Sequence, residues 1–400
     1  MDLPIYLDYH STTPIDVRVL DSMLPFYRSD FGNAASASHA FGKKAHQAVE
    51  EARAKVAHLI NASEPEEIIF TSGTTESNNF ALKGIAAMYQ EKGNHIITTA
   101  IEHKSVLEVC KFLERDGFQI TYLPVNQEGI VSFEELKRAM TPQTILISVM
   151  HANNEIGTIQ PIVQIGRFAS EHNIFFHCDA AQTAGRISID VQASGIDLLS
   201  FSAHKMYGPK GIGALYVRKK DPRVRLEPFI HGGGQERDLR SGTLNVAGIV
   251  GFGKAAEIGD QEMESDAVWI LHLREKLRQG IQSRLTDTYV HGSLERRLPG
   301  NLNMSFAYVE GETLLNELCE EIAVSSGSAC ASQGPGLSYV LRALGVKEEL
   351  IHTSIRFGLG RFNTEAEIDY TVKRVTEIVS RLRGHSPIYK KERPARVEKK

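Results

Sequence analysis

The chain has 400 residues, of which 42% are hydrophobic and 24% are charged, and its formal net charge is −4. This length exceeds one small core and predicts two domains. The slightly acidic balance gives no reason to expect nucleic acid or an anionic membrane as the main partner. The N-terminus lacks a basic segment followed by a long apolar one, and no stretch approaches the ~20 apolar residues that span a bilayer. We therefore expect a soluble, cytoplasmic protein.

Short apolar runs of strand length alternate with helical patterns over most of the chain. A helix is expected over 43–60, where apolar residues such as Val49 and Val56 recur at helical spacing, and Ser132-x-x-Glu135 predicts the start of another. The predicted strands are 67–70, 95–98, 145–150, 174–177, 198–201 and 213–217. Such alternation predicts an α/β domain with a mostly parallel mixed sheet flanked by helices.

The pattern changes after about residue 260. A helix over 311–321 is followed by a loop of small residues over 325–336, and a closing helix begins at Thr364-x-x-Glu367. These features predict a smaller α+β domain that carries a mobile loop.

The domain division predicted from these patterns is as follows: residues 16–259 form the large domain, and residues 1–15 together with 260–386 form the small one. The tail, residues 387–400, carries six Lys or Arg residues against two Glu. It is expected to be disordered or to act as a docking arm.

Four of the predicted strands are followed directly by turns rich in polar residues, at 72–76, 153–155, 179–182 and 202–205. In open α/β sheets, ligands bind beyond the carboxyl ends of the strands. The four turns therefore predict one shared site.

Lys205 lies where one of these strands should end, at the start of a Gly-rich turn. Partial desolvation at the rim of a sheet lowers the pKa of a lysine amine, which is then suited to attack a carbonyl carbon. The alternative is an ordinary surface lysine, which is the commoner case for an isolated lysine. Lys205 is not isolated, because the other turns supply groups that suit the same cofactor.

One of these groups is a candidate phosphate site. The turn Ser72-Gly73-Thr74-Thr75 follows a strand and precedes a helix, so its hydroxyls and the free N–H groups of the helix start can bind an anion. Ordinary helix capping explains such a turn equally well. Ser202 and His204 could add donors from the neighbouring strand end.

Other groups fit the ring of pyridoxal 5′-phosphate (PLP), which withdraws electrons only while an anion keeps its nitrogen protonated. Asp179 follows an apolar strand and is the candidate anion, although it could instead cap the next helix. Gln182 could reach the phenolic oxygen. His103 could stack on the ring and move protons, or it could be structural.

The four cysteines show no spacing typical of zinc ligands or of a CxxC pair, so we expect no metal site and free thiols. Cys110, Cys178 and Cys319 lie in regular apolar sequence and are predicted to be packing residues. Cys330 differs because its loop consists almost entirely of small residues, Gly and Pro. Such a loop offers little packing and can move.

Together these motifs resemble the cysteine desulfurases, PLP enzymes of fold type I related to the class-V aminotransferases, and most closely the housekeeping branch that serves iron–sulfur cluster assembly. The similarity extends to about residue 386. The matching segments are YLDYHSTTP (6–14), GNAAS (32–36), TSGTTES (71–77), EHK (102–104), MHANNEIG (150–157), DAAQ (179–182), SAHKMYGPKGIGALY (202–216), HGGGQER (231–237), RSGT (240–243), SSGSAC (325–330) and SIRF (354–357).

The resemblance implies a role for each matching residue. Lys205 would attach PLP covalently, Asp179 would pair with the ring nitrogen, His103 would stack on the ring and Gln182 would bind the ring oxygen. The phosphate would be held by Thr74, Thr75, Ser202 and His204 of one subunit and by Thr243 of the other, which implies a homodimer. Asn154, which also lies against the cofactor, and Arg356 would bind the substrate carboxylate.

The implied reaction converts L-cysteine to L-alanine. Cys330 would take the sulfur as a persulfide, with His103 moving a proton, and pass it to an iron–sulfur scaffold protein and other acceptors, with tRNA thiolation a further use. Cys330 could also serve as a transient iron–sulfur ligand. No direct binding of nucleic acid or membrane is implied.

Alternatives remain open at this point. The same fold could support a selenocysteine lyase or another C–S or C–Se lyase, and a catalytically silent binding protein could keep the fold. A metal site at His177-Cys178-Asp179 is disfavoured, because successive strand residues point to opposite faces. The short basic tail departs from the longer, partly aromatic end of the family and puts the scaffold partnership in question.

Overall fold

The computed structural model describes residues 3–221, 223–326 and 337–392. The strands in these ranges are β1 (Ile5–Tyr6), β2 (Ile68–Thr71), β3 (His95–Thr99), β4 (Gln119–Leu123), β5 (Thr144–Ser148), β6 (Phe175–Asp179), β7 (Leu198–Ser202), β8 (Gly213–Val217), β9 (Thr288–Val290), β10 (Asn301–Phe306), β11 (Ile322–Ala323), β12 (Ser325–Ser326) and β13 (Ser354–Gly358). The α-helices are α1 (Val17–Arg28), α2 (Ala40–Leu59), α3 (Thr74–Tyr89), α4 (Lys104–Arg115), α5 (Phe133–Ala139), α6 (Ile162–Glu171), α7 (Val246–Gln282), α8 (Gly311–Cys319), α9 (Tyr339–Ala343), α10 (Glu348–His352), α11 (Glu365–His385) and α12 (Pro387–Glu392).

The main sheet of the described chain has the strand order β2-β8-β7-β6-β5-β3-β4. Strands β7, β6, β5, β3 and β4 are parallel, and β8 runs antiparallel to both of its neighbours. The carboxyl ends of β2, β3, β5, β6 and β7 therefore meet at one edge. This sheet confirms the predicted mostly parallel α/β architecture.

Both faces of this sheet are covered at its centre, which explains why the inner strands β5, β6, β7 and β8 are almost fully buried. Successive strand residues point to opposite faces. In β7, Leu198 packs in a core with α3 and α4, whereas Leu199 packs in a second core with α2, α6 and α7. The same alternation places Ile96 and Ile97 of β3 in the two different cores.

A separate core lies around the antiparallel sheet β12-β13-β10-β9. It contains Ile5 and Leu7 from the N-terminus together with apolar residues of α7, α8 and α11. β1 pairs with β11, so the first residues of the chain pack against its last third. The 37-residue helix α7 contributes its first half to the core of the main sheet and its second half to this separate core. The predicted domain limits at residues 15 and 259 stay a prediction.

Most predicted elements are present with small shifts in their ends. Thr364 and Glu367 form the predicted capping box of α11, and Ser132 caps α5. The strand β4 was not predicted, because it is half-exposed at the edge of the sheet and lacks a long apolar run. The first part of the tail forms α12, which was also not predicted, while residues 393–400 lie outside the described residues.

Candidate active site

A cavity of about 540 Å³ lies at the edge where the carboxyl ends of the parallel strands meet. The predicted site residues that line it are Thr74, Thr75, His103, Asn154, Asp179, Gln182, His204 and Lys205. They come from turns that are up to 131 residues apart in the chain, between Thr74 and Lys205. The structure therefore brings the four predicted turns together in one site.

The remaining predicted residues lie elsewhere. Ser202 is buried at the end of β7. Arg356 is buried on β13 and contacts two residues of the cavity wall, as described below. Thr243 is exposed on the surface of the chain and is not part of the cavity wall. Cys330 lies outside the described residues.

Lys205 ends the short 3₁₀ turn Ala203–Lys205 that follows β7 directly. Its Nζ donates to the backbone oxygens of His10 and Ser11, the latter at 2.8 Å. The amine is thus held at the cavity wall by the N-terminal segment, which packs across the end of the sheet. Arg186 supports the same turn, because its Nε donates to the backbone oxygen of Lys205 at 2.9 Å.

Asp179 belongs to a hydrogen-bonded network that connects it to His103. Its Oδ2 accepts from Asn78 Nδ2 at 2.7 Å, and its Oδ1 accepts from the backbone N of Ala181 at 2.9 Å. Asn78 Nδ2 also donates to Ser105 Oγ at 2.8 Å, and Ser105 Oγ lies 2.8 Å from His103 Nδ1. The network holds the carboxylate and the imidazole in fixed relative positions.

Sequence reasoning missed Asn78 and Ser105. Asn78 lies one turn into α3, four residues after Thr74, and the signal that could have found it is helical spacing from the predicted phosphate turn. Both side chains are buried, and a buried amide requires partners. Their roles depend on contacts between different elements, which a pattern along the chain does not show.

His103 caps α4 through its ring. Nδ1 accepts from the backbone N of Ser105 at 3.1 Å, so the hydrogen of the neutral ring lies on Nε2. Burial lowers the pKa of His103, while the nearby Asp179 carboxylate acts in the opposite direction. The ring is therefore a neutral imidazole near pH 7 that carries its proton on Nε2.

Another part of the cavity wall is suited to an anion. Helix α3 begins at Thr74, whose Oγ1 is buried without a hydrogen-bond partner among the described residues, as is Ser202 Oγ. Gly73 has φ +155°, and a Cβ on Gly213 would lie 2.6 Å from Gly73 Cα, so this turn requires glycine at both positions. Unpaired hydroxyls beside a helix N-terminus favour a phosphate group.

His204 also lines the cavity. Its Nδ1 lies 3.1 Å from Thr12 Oγ1, and Thr12 is also part of the cavity wall. Burial, reinforced by the positive charges of Lys205 and Lys210, lowers the pKa of His204 to about 4. It is therefore neutral at pH 7.

Arg356 is held by polar groups on three sides. Its Nη2 donates to Asp8 Oδ1 at 2.8 Å and to Ser11 Oγ at 2.7 Å, and its Nη1 donates to the backbone oxygen of Asn154 at 3.0 Å. Arg356 Nε and Asn154 Oδ1 are buried and have no partner in the described part of the chain. The unpaired Nε–H donor suits an anionic group such as a carboxylate, and the unpaired Asn154 Oδ1 suits a hydrogen-bond donor.

The described residues contain no group of three or more His, Cys, Asp or Glu side chains that could hold a metal ion. The same ranges include no helix that is both long enough and apolar enough to cross a bilayer. The site is therefore built from a lysine amine, a carboxylate, imidazoles and unpaired hydroxyl and amide groups.

The sequence matches the aminotransferase class-V family over residues 5–371. The chain belongs to this family. It is 57% identical over 389 residues to the protein named cysteine desulfurase IscS of Anaeromyxobacter dehalogenans (strain 2CP-C), and the alignment covers 97% of this chain and 96% of that one. This similarity confirms the resemblance to the cysteine desulfurases.

Two solved structures share most of the fold of this chain. A NifS-like protein superimposes with a TM-score of 0.88 at 42% identity and covers 95% of this chain and 100% of its own. A second structure, SspA in complex with cysteine, has a TM-score of 0.79 at 38% identity and covers 90% of this chain and 100% of its own. The class-V fold predicted from the sequence is thereby confirmed.

Proposed function

We propose that this class-V protein is a PLP-dependent cysteine desulfurase that converts L-cysteine to L-alanine and takes the sulfur onto Cys330. The observation that carries the proposal is the convergence of Lys205, Asp179 and His103 on one cavity that also contains the unpaired Thr74 hydroxyl at a helix N-terminus. The name of the relative that is 57% identical supports the same activity. The reaction balances without an oxidant, because the C–S bond of cysteine breaks while an S–S bond forms, and the thiol proton ends on alanine.

The residues of the cavity fit PLP. The free hydroxyls of Thr74 and Ser202, with Thr75 and His204, would hold its phosphate, and Asp179 would face its ring nitrogen. When bound, PLP supplies an aldehyde that condenses with amines and a protonated ring that withdraws electrons from the substrate Cα. Asp179 suits this role because Asn78 and Ala181 orient it without neutralising it.

The substrate carboxylate would be bound by Arg356 and Asn154. A planar guanidinium recognises carboxylates through two nitrogens, and Arg356 Nε is unpaired while its Nη2 is shared between Asp8 and Ser11. Binding at this position would place the amino acid next to Lys205, since Ser11 contacts both side chains. The fixed orientation of the substrate removes part of the entropic barrier to reaction.

Proton movement would involve Lys205 and His103. The amine of Lys205, once released by the substrate, would remove the Cα proton, because it lies on the wall of the same cavity. His103 holds its proton on Nε2 and would hand it to the reacting centre, while Asn78 and Ser105 keep its ring in place. General acid–base groups of this kind contribute about 100- to 10,000-fold in rate.

The other cysteines are poor candidates for the sulfur acceptor. Burial raises the pKa of Cys110 to about 12, and it raises the pKa of Cys178 well above its usual range. Both are fully buried, and the thiolate is the reactive form. Cys319 is exposed and its Sγ faces the backbone oxygen of Val324 at 3.7 Å, outside the cavity. These facts leave Cys330, whose loop the family resemblance identifies, as the proposed acceptor.

We also propose that the enzyme is a cytoplasmic homodimer in which Thr243 completes the phosphate site of the partner subunit. The exposure of Thr243 supports this role, since a side chain outside its own cavity is free to reach another. The persulfide would pass to an iron–sulfur scaffold protein and to other acceptor proteins, without direct binding of nucleic acid or membrane.

The test is intact-mass spectrometry after incubation with L-cysteine. The wild type is expected to gain one sulfur atom and to release L-alanine. Cys330→Ala should lose both, whereas the matched control Cys319→Ala, which removes an exposed cysteine, should retain them. Lys205→Ala should lose alanine release and the covalent attachment of PLP. Continued turnover of cysteine by Cys330→Ala would overturn the persulfide step and favour a lyase.

A further inference from the structure

His10 is a buried histidine that contacts both Lys205 and Gln182 from behind the cavity. Its side chain is almost fully enclosed, with 1% of the residue exposed. Its backbone oxygen accepts from Lys205 Nζ and, at 3.0 Å, from Gln182 Nε2. Its ring Nδ1 lies 2.8 Å from Gln182 Oε1. The oxygen and one N–H of the Gln182 amide are thus paired with one residue.

These two contacts define the orientation of the Gln182 amide. A backbone oxygen only accepts hydrogen bonds, so the atom 3.0 Å from His10 O must be the NH₂ group. Gln182 Oε1 then faces the His10 ring and needs a donor there. It follows that Nδ1 of His10 carries a hydrogen and donates it to Gln182.

The surroundings of His10 keep its ring neutral. Burial lowers its pKa well below the usual value, and the positive charges of Arg186, Arg356 and Lys205 act in the same direction. Arg186 Nη1 also lies 3.4 Å from Nδ1, but it cannot donate to a nitrogen whose own hydrogen is directed to Gln182 Oε1 at the shorter distance of 2.8 Å; its Nη2 donates to the backbone oxygen of Tyr9 at 2.6 Å. The neutral ring therefore has its hydrogen on Nδ1, and Nε2 is buried without a partner among the described residues.

The consequence for the cavity is that Gln182 has one N–H left to donate there. Its oxygen and one N–H are taken by His10, and its second N–H has no acceptor in the described part of the chain. Gln182 also forms part of the cavity wall. An oxygen with negative charge is the ligand group that such a donor favours.

We propose that His10 is a positioning residue that clamps Gln182 at two points, so that its remaining N–H donates to a negatively charged oxygen on the ring of the cofactor. The inference rests on the proposed binding of PLP. It assigns a function to a side chain that contacts no ligand itself. Removal of the Nδ1–H donor would leave the amide held by one hydrogen bond and free to turn.

The test uses the absorbance of the holoenzyme as a function of pH. The bound chromophore shares a titrating proton with the ring oxygen, and the pH at which half of it has lost this proton is the midpoint. A hydrogen-bond donor at the ring oxygen stabilises the negative charge there and therefore lowers the midpoint. His10→Leu removes the Nδ1–H that holds Gln182, so the Gln182 N–H is no longer fixed at the ring oxygen. The midpoint is expected to rise by about 0.5 to 1 pH unit. His10→Asn, whose side-chain N–H can take the place of Nδ1–H, is the matched control and should stay close to the wild type.

A midpoint of His10→Leu equal to that of the wild type would overturn the inference, as would a His10→Asn variant that shifts as far as His10→Leu. If His10→Leu does not fold, His10→Ser replaces it, because its hydroxyl is too short to reach Gln182. Gln182→Met should reproduce the shift of His10→Leu, and the double variant should add nothing to it. A wild-type protein that binds no PLP would contradict the proposed function as well, whereas a normal chromophore with unchanged midpoints contradicts only the role of His10.

Discussion

Replacement of Asn78 by Ala tests the network that orients Asp179. Asn78 is fully buried, and its Nδ2 donates at 2.7 Å to Asp179 Oδ2 and at 2.8 Å to Ser105 Oγ. Asn78→Ala removes both hydrogen bonds and leaves Oδ2 of a buried carboxylate without its partner. Asn79 provides the control, because it is the next residue of the same helix, yet it lies nearer the surface, and among the described residues it donates only to the backbone oxygen of Thr75 at 2.9 Å.

The magnitude follows from the groups involved. Loss of a hydrogen bond to a charged group costs about 1.5 to 3 kcal/mol, and loss of the neutral bond to Ser105 costs about 0.5 to 1.5 kcal/mol. Asn78→Ala should therefore lower the free energy of unfolding by about 2 to 4 kcal/mol. The gain in helix propensity from Asn to Ala is the same at both positions and cancels in the comparison. Asn79→Ala should change stability by less than about 1 kcal/mol, since water replaces its bond.

The assay is urea unfolding of the cofactor-free protein, followed by circular dichroism at constant pH. Equal losses in Asn78→Ala and Asn79→Ala would refute the reasoning, because the two variants differ only in the buried network. The affinity for PLP gives a second measurement. We expect it to fall in Asn78→Ala and to stay unchanged in Asn79→Ala, since only the former loosens Asp179.

Two further predictions concern buried charges. Arg53→Met should lower the free energy of unfolding by about 3 to 5 kcal/mol, because it leaves the Glu236 carboxylate buried without its two 2.8 Å bonds to Arg53. Adding Glu236→Gln should recover part of this loss in urea titration, and a double variant that is less stable still would contradict the prediction. Burial raises the pKa of Glu102 to about 8. Between about pH 4.5 and 8 the folded protein keeps this proton while the unfolded chain releases it, so the free energy of unfolding falls as pH rises. Glu102→Gln has no proton to lose and should gain stability relative to the wild type by on the order of 3 to 5 kcal/mol over that range; a difference that does not change with pH would exclude a protonated Glu102.

The predictable part of the site is the part whose residues are close in sequence to a strand end. Asp179 is the last residue of β6 and Lys205 follows β7 by three residues, so an apolar run ending in a polar turn was enough to place them at the sheet edge. The half-exposed strand β4 and the short helix α12 were missed, since neither has a long apolar pattern.

The unpredicted part consists of contacts between distant elements. Asn78 and Asp179 are 101 residues apart, and His10 and Gln182 are 172 residues apart. Nothing in the segment around His10 indicates a partner in another turn. The pairing arises only when the N-terminal segment packs across the end of the main sheet.

The sequence by itself determined the α/β architecture, the family and the identity of most groups in the cavity, because apolar periodicity and turn chemistry are local properties of the chain. Only the tertiary structure decided which hydrogen bonds those groups make. It showed that Asn78 orients Asp179, that Arg356 is shared between Asp8 and Ser11, and that His10 contacts both ends of the Gln182 amide. The physical reason is that a buried polar group bonds to the groups that tertiary packing places within about 3 Å of it. Packing brings residues together whatever their separation in sequence.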